Sequence, residues 1–177
     1  MRDHFDDVTL AGDGFVLRPV ELSDADAIVD GASDPQTLQW LPLPRPYERA
    51  HAVEWISNHT APPAFPRVIG VGSAFAGVID LKKADWRGRT TEIGYWLHPA
   101  FRGRGLMADA VRLLGDWALR AQEMERVEIR VATGNVASQR VARSAGYVQE
   151  GTLRNAGFLH EGRVDLIVFS RIRADLN

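Results

Sequence analysis

Helical spacing of apolar positions governs the first third of the chain, and strand-like alternation governs most of the rest. Phe15-Val16-Leu17-Arg18-Pro19-Val20 is a short apolar run stopped by proline, and it predicts a first strand. A helix follows with Ser23 as its cap. Asp24 and Asp26 fall in its first turn, where the helix dipole favours anions. Ala25, Ile28, Val29 and Ala32 share one face of it. Pro35 ends or restarts that helix. Residues 40–46 form a stiff, proline-rich apolar loop that begins at Trp40. A second helix is predicted from Tyr47 to about Asn58, ahead of another proline-rich loop over 62–66.

Two strands over 67–72 and 76–82 then read as a hairpin, with Gly72 and Ser73 near its turn. Thr90–Leu97 is a further strand, rich in β-branched and aromatic residues. Leu106, Ala110, Leu113, Leu114, Trp117, Ala118 and Ala121 keep helical spacing and predict a long helix over 106–121. Arg126–Ala132 reads as a strand, Val136–Ala145 as a helix closed by Gly146, and 147–153 and 164–172 as a last pair of strands. The pattern predicts one mixed α/β domain over residues 1–177, built round a single sheet, without repeats or an interdomain linker.

Composition narrows the chemistry. The 177 residues are 45% hydrophobic and 25% charged, with a net charge of −2. A sequence-independent nucleic-acid binder carries a basic surplus, so no nucleic-acid partner is expected. With no cysteine, disulfides, thiolate metal sites and cysteine nucleophiles are all excluded. The five histidines show no metal-ligand spacing, so no metal is expected. No apolar run reaches the roughly 18 residues that span a bilayer. The acidic N-terminus does not resemble a secretory signal, and the expected location is cytoplasmic. Charge is uneven: residues 1–60 hold 11 acidic and 4 basic side chains, and the remainder 12 acidic and 17 basic. That asymmetry is either random scatter or the mark of an anion received by the C-terminal part and a cation faced by the N-terminal part.

The segment with the clearest chemistry runs from Glu92 to Met107. A strand leads into His98-Pro99-Ala100-Phe101-Arg102-Gly103-Arg104-Gly105, and that loop opens the long helix. Unpaired N–H groups at a helix N-terminus attract anions. Gly103 and Gly105 let backbone approach a ligand, and Arg102 and Arg104 offer guanidinium groups suited to phosphate. The loop therefore reads as a phosphate cradle, although a glycine turn with solvated arginines has the same sequence. The usual ATP and NAD glycine motifs are not present.

Arg102 to Met107 resembles the acyl-CoA pyrophosphate motif of the GNAT N-acetyltransferases, Arg/Gln-x-x-Gly-x-Gly/Ala, with Met107 standing where many members have Gly or Ala. Asn135-Val-Ala-Ser138, followed by Ala145-Gly146-Tyr147, is similar to the family's second signature. Glu150-Gly151-Thr152-Leu153-Arg154 resembles the RimJ/RimL-like branch, whose members acetylate N-terminal α-amines of ribosomal proteins. The resemblance covers nearly the whole chain. It implies a mixed, mostly antiparallel twisted sheet flanked by helices, with fourth and fifth strands, here Thr90–Leu97 and Arg126–Ala132, that splay apart. Acetyl-CoA would lie in that gap, against Trp96, Leu97, Arg102, Gly103, Arg104, Gly105, Leu106, Met107, Asn135 and Ser138. The two N-terminal helices and Trp40 would wall the acceptor site.

The implied reaction transfers an acetyl group from acetyl-CoA to a primary amine, either a peptide α-amine or a small-molecule amine. It needs a deprotonated amine, a polarised thioester and a protonated leaving thiolate. Glu92 is the candidate base and a contact for the acceptor; a surface strand carboxylate is the other reading. Ser138 is the candidate donor at the sulfur, or else a helix-start hydroxyl. Tyr147 is a second acid candidate, or a core aromatic. Some RimJ/RimL-like enzymes place an acidic residue just after the Glu-Gly-Thr-Leu-Arg run, where this chain has Gly157. Glu161 reads as a hairpin-turn residue. A non-catalytic acyl-CoA sensor on the same fold is the alternative, and apolar residues within 153–172 offer an edge for a homodimer.

Overall fold

Among the residues described by the computed structural model, 3–59 and 64–176, eight strands form one sheet. They are β1 (Leu10–Ala11), β2 (Val16–Pro19), β3 (Phe65–Val71), β4 (Ala74–Asp85), β5 (Thr90–Leu97), β6 (Arg126–Ala132), β7 (Val148–Leu159) and β8 (Gly162–Ile172). Five helices accompany them: α1 (Ala25–Ala32), α2 (Pro35–Trp40), α3 (Arg49–His59), α4 (Leu106–Arg120) and α5 (Val136–Ser144). The strand order is β1-β2-β3-β4-β5-β6-β8-β7. Every neighbouring pair is antiparallel except β5–β6.

The parallel pair is short. Thr90, Thr91 and Glu92 face Arg126, Val127 and Glu128, and beyond them the two strands part. This is the splay expected between Thr90–Leu97 and Arg126–Ala132. The pleat sends alternate side chains to opposite faces. Ile93 on β5 and Val127, Ile129 and Val131 on β6 join one core with Ala110, Val111, Leu114, Ala118 and Leu119 of α4. The other core lies under α1 and α3, where Ile28, Ala52 and Ile56 cover Val68 and Val78. Tyr147 is a core aromatic, 4% exposed, and its ring depends on Gly115: a Cβ there would stand 2.3 Å from the Tyr147 hydroxyl.

Four expectations change. Ser23 does not cap a helix. The chain first makes a 3-10 turn over Leu22–Asp24, and the buried Asp24 carboxylate accepts from the Glu21 N–H at 2.8 Å while Arg18 neutralises it. Pro35 restarts the helix as α2, one of the two outcomes its position allowed, with Asp34 as its cap, and Trp40 therefore ends a helix and does not begin a loop. Pro66 lies in β3; Pro62 and Pro63 fall outside the described residues. Finally, β7 continues to Leu159, past the expected end at Leu153. Register shifts between Gln149 and Gly151 and between Leu153 and Gly157, with Asn155 at φ 56°, hide it by breaking the alternation. His160 and Glu161 form the turn into β8. No described helix is long and apolar enough to cross a membrane.

Candidate functional site

Where β5 and β6 separate, the sheet opens on a cavity of about 720 Å³. The loop over 101–105 and the first turn of α4 close one side, α5 another, and α2 with Trp40 a third. Arg102, Gly103, Arg104, Gly105, Leu106, Met107, Asn135, Ser138, Trp96, Leu97 and Trp40 all line it, so the structure brings these expected residues together.

The loop is built by local rules. His98 caps a 3-10 turn over Pro99–Phe101 by accepting from the Ala100 N–H, while its Nε2 lies 2.9 Å from Asp30. Gly103 and Gly105 have φ of 76° and 79°, left-handed values that disfavour any side chain. No protein atom lies within 4 Å of where a Cβ would stand on either. Gly105 caps α4 without a side chain, and the first helical N–H groups have no partner within the helix. Arg104 is exposed beside them. Backbone donors, a partial positive charge and open space over two glycines fit a bound pyrophosphate.

Arg102 lines the cavity, but its guanidinium is engaged by the protein itself. Its Nε donates to Leu97 O at 3.1 Å, and its other nitrogens donate to Gln36 Oε1 at 2.8 Å, Asp34 Oδ2 at 2.7 Å and Thr37 Oγ1 at 2.7 Å. Four of its five N–H groups are thus committed inside the protein. The side chain latches α2 to the end of β5. Burial pushes the Asp34 carboxyl up, but Arg102 and the Thr37 N–H outweigh it and hold Asp34 below its ordinary value.

At the α5 side, Asn135 caps the helix by accepting from the Ser138 N–H at 3.1 Å. Ser138 Oγ lies 2.9 Å from the Tyr95 hydroxyl, which also reaches Ser138 O at 3.2 Å. The pair bridges β5 and α5 across the gap between the strands. Burial pushes the Tyr95 phenol up to about 12, the Ser138 contact notwithstanding. A phenol so raised stays protonated at neutral pH and can donate a hydrogen bond. Tyr147, the other acid candidate, is buried and lies outside the cavity lining.

Glu92 is not brought to the site. It is 6% exposed and does not line the cavity. Lys82 Nζ approaches its Oε1 at 3.1 Å and Lys83 Nζ its Oε2 at 2.8 Å, with Arg130 Nε at 3.7 Å. Burial pushes this carboxyl up, but the two ammonium groups prevail and hold it below the ordinary glutamate value. A base needs affinity for a proton, and this arrangement lowers it. Glu92 is the counterion that anchors two lysines.

Sequence reasoning missed Tyr95, Lys82, Arg130 and Arg140 in the lining. Tyr95 could have been found by counting alternation from Ile93 along β5. Arg130 could not, because its place depends on where β6 leaves β5. Trp96 lines the cavity, yet its ring rests against Gly31 of α1 and lies 5.8 Å from Phe75. The Trp40 ring lies over Gly134, where a Cβ would stand 3.0 Å away. Among the described residues, no group of three His, Cys, Asp or Glu side chains could hold a metal.

The sequence profile described as an acetyltransferase (GNAT) domain matches residues 15–148. YdaF of Bacillus subtilis (strain 168), which carries a ribosomal N-acetyltransferase name, is 32% identical over 102 residues, 58% of this chain and 56% of that protein. The ribosomal-protein-serine acetyltransferase of Escherichia coli (strain K12) is 32% identical over 96 residues, 54% of each. The match therefore spans about half the length of these two relatives. The solved structure of RimL, the ribosomal L7/L12 α-N-protein acetyltransferase in complex with coenzyme A, superposes with a TM-score of 0.85. It is 22% identical, covering 93% of this chain and 98% of that one.

Proposed function

Because the chain belongs to the acetyltransferase (GNAT) domain family, we propose that it transfers an acetyl group from acetyl-CoA to the N-terminal α-amine of a peptide or protein. The observation that carries this reading is the gap between β5 and β6, opening directly on a glycine loop at a helix N-terminus. In this reading Gly103, Gly105, Arg104 and the first amides of α4, at Leu106 and Met107, hold the pyrophosphate. The free edge of β5 at Trp96 and Leu97 takes the pantetheine arm. Ser138 and Tyr95 stand ready to protonate the departing thiolate, and Asn135 keeps Ser138 in place.

The acceptor amine must lose its proton. Among the described residues lining the cavity, no carboxylate or imidazole is present to take it. Cations do line it, and like charge disfavours an ammonium there. The amine therefore gives its proton to water and reacts as the neutral base. An α-amine with a pKa of about 7.7–8.0 does this far more readily than a lysine at about 10.4. This, with the names of the relatives, supports a peptide N-terminus over a side-chain amine.

The test has two readouts. Acetyl-CoA at about 100 times Kd adds about 2.7 kcal/mol to the native state, a rise in Tm of several degrees for a chain of this size. Release of free CoA with peptides of free N-terminus is expected, and none with the same peptides blocked by formylation. Binding without release from any amine would support a non-catalytic acyl-CoA sensor. A homodimer belongs to the same proposal, because Leu153, Phe158 and Ile172 are exposed on β7 and β8. Light scattering at twice the 19.6 kDa chain mass checks it.

A further inference from the structure

The cavity reaches both faces of the sheet. The loop over 102–105 and the first turn of α4 lie at one end of it. On the opposite face, one step beyond the last β5–β6 pair at Glu92 and Glu128, it meets Lys82 and Arg130. Lys82 stretches over Gly94 of β5, where a Cβ would stand 3.0 Å from its Cε and Nζ. Both cations remain open to solvent, with 42% and 37% of their side chains exposed. Their counterions are sunk beneath them: Glu92 is 8% exposed at its side chain and Glu128 20%. The groups most exposed to an incoming molecule are cationic, and the less exposed carboxylates aim and hold them.

Two further features agree. The chain has only two lysines, Lys82 and Lys83, and both converge on Glu92. The cations that line the cavity are Lys82, Arg102, Arg104, Arg130 and Arg140, with no described carboxylate among its walls. Arg102 is committed to α2, and Arg104 and Arg140 lie by the loop and α5 and suit the donor. Lys82 and Arg130 are left at the far end with no donor charge to meet.

From this we infer that the acceptor is an amine that carries a carboxylate a few bonds away, read by Lys82 and Arg130. The inference rests on the acetyltransferase reading and names its substrate class. It reverses the expectation that the acceptor wall faces a cation, and it disfavours polyamines and lysine side chains. An acidic second or third residue in a peptide supplies such a carboxylate. The α-carboxylate of a free amino acid supplies the same chemistry from another source.

The experiment compares acetylation of the peptides Ser-Glu-Ala-Ala, Ser-Gln-Ala-Ala and Ser-Lys-Ala-Ala as C-terminal amides, with free glutamate and spermidine as further arms. Charge-assisted contacts with one or both cations favour Glu over Gln by about tenfold in kcat/KM. Raising ionic strength from about 0.05 to 0.5 M should shrink that ratio as the charges are screened. Glutamate outpacing the peptides would assign the carboxylate to a free amino acid; the acidic peptide leading would assign it to a side chain. In Lys82→Gln and Arg130→Gln the Glu/Gln ratio should fall toward one. Wild-type enzyme alone decides the matter if a variant does not fold. Equal rates for Glu and Gln peptides without a lead for free glutamate, or a preference for Lys or spermidine, overturn the inference and leave the acetyltransferase reading standing. No CoA release from any amine, with acetyl-CoA bound, overturns both.

Discussion

Replacing Arg102 with alanine separates two roles that its sequence position merges. If the side chain is a phosphate ligand, its loss weakens the donor and leaves the free protein unharmed. The structure makes it a latch, and the cost should fall on folding. The contact with Asp34 is a charge-assisted bond of about 1.5–3 kcal/mol. Arg102 and Asp34 are 30% and 20% exposed at their side chains, so screening brings this toward about 1 kcal/mol. The bonds to Leu97 O and Thr37 Oγ1 are neutral at the acceptor and add about 0.5–1 kcal/mol each. A total near 2–3 kcal/mol lowers Tm by roughly 5–10 °C in a chain of this length. Differential scanning calorimetry without ligand measures it. The pH dependence has a definite sign. Asp34 is held below its ordinary value, so its contribution is complete above about pH 4 and is lost as pH falls through the depressed value. The gap between wild type and variant should narrow there. Arg104→Ala is the control: unchanged Tm, with acetyl-CoA affinity reduced most at low salt. An Arg102→Ala protein that melts like wild type yet binds acetyl-CoA weakly refutes the latch.

Glu92→Gln should leave the shape of the pH–rate profile unchanged while destabilising the protein at pH 7, a deficit that fades below about pH 4 because Glu92 is held low; a rate loss of a hundredfold that recovers at high pH would restore Glu92 as the base. Gly105→Val should abolish acetyl-CoA binding in calorimetry and cost about 1–2 kcal/mol, because φ is 79° and the branch fills the space above the loop; unchanged affinity counts against the cradle. Tyr95→Phe should keep acetyl-CoA affinity and reduce kcat by about a hundredfold if the phenol helps protonate the thiolate; an unchanged kcat removes it from the chemistry.

The strands Thr90–Leu97 and Arg126–Ala132 were legible to the residue, because β-branched and aromatic runs between turns have few other solutions. The loop was legible because glycine between arginines ahead of an amphipathic helix is a local signal. Local signals failed where tertiary contacts decide. Arg102 faces phosphate or α2 depending on where α2 packs, and α2 itself was hidden behind a proline that starts a helix as well as it ends one. Glu92 sits where a base is expected by position, but its proton affinity is set by Lys82 and Lys83 across a strand pair. The bulges of β7 concealed half its length, since period-two reasoning assumes an unbroken ladder.

The parallel seam between β5 and β6 is three residues long on either side. It divides the sheet into a block of five strands and a block of three, joined there and through α4, α5 and the Tyr95–Ser138 strut. Successive N–H groups of a strand alternate sides, so about half of those in Gly94–Leu97 point away from β4 into the gap. A molecule seated there is thus a mortar course as well as a reactant, supplying the ladder that the sheet omits. Amide exchange should register this directly, fast at the gap-facing groups of β5 without donor and slow with it. The two blocks should also gain cooperativity, melting as one unit when the gap is filled.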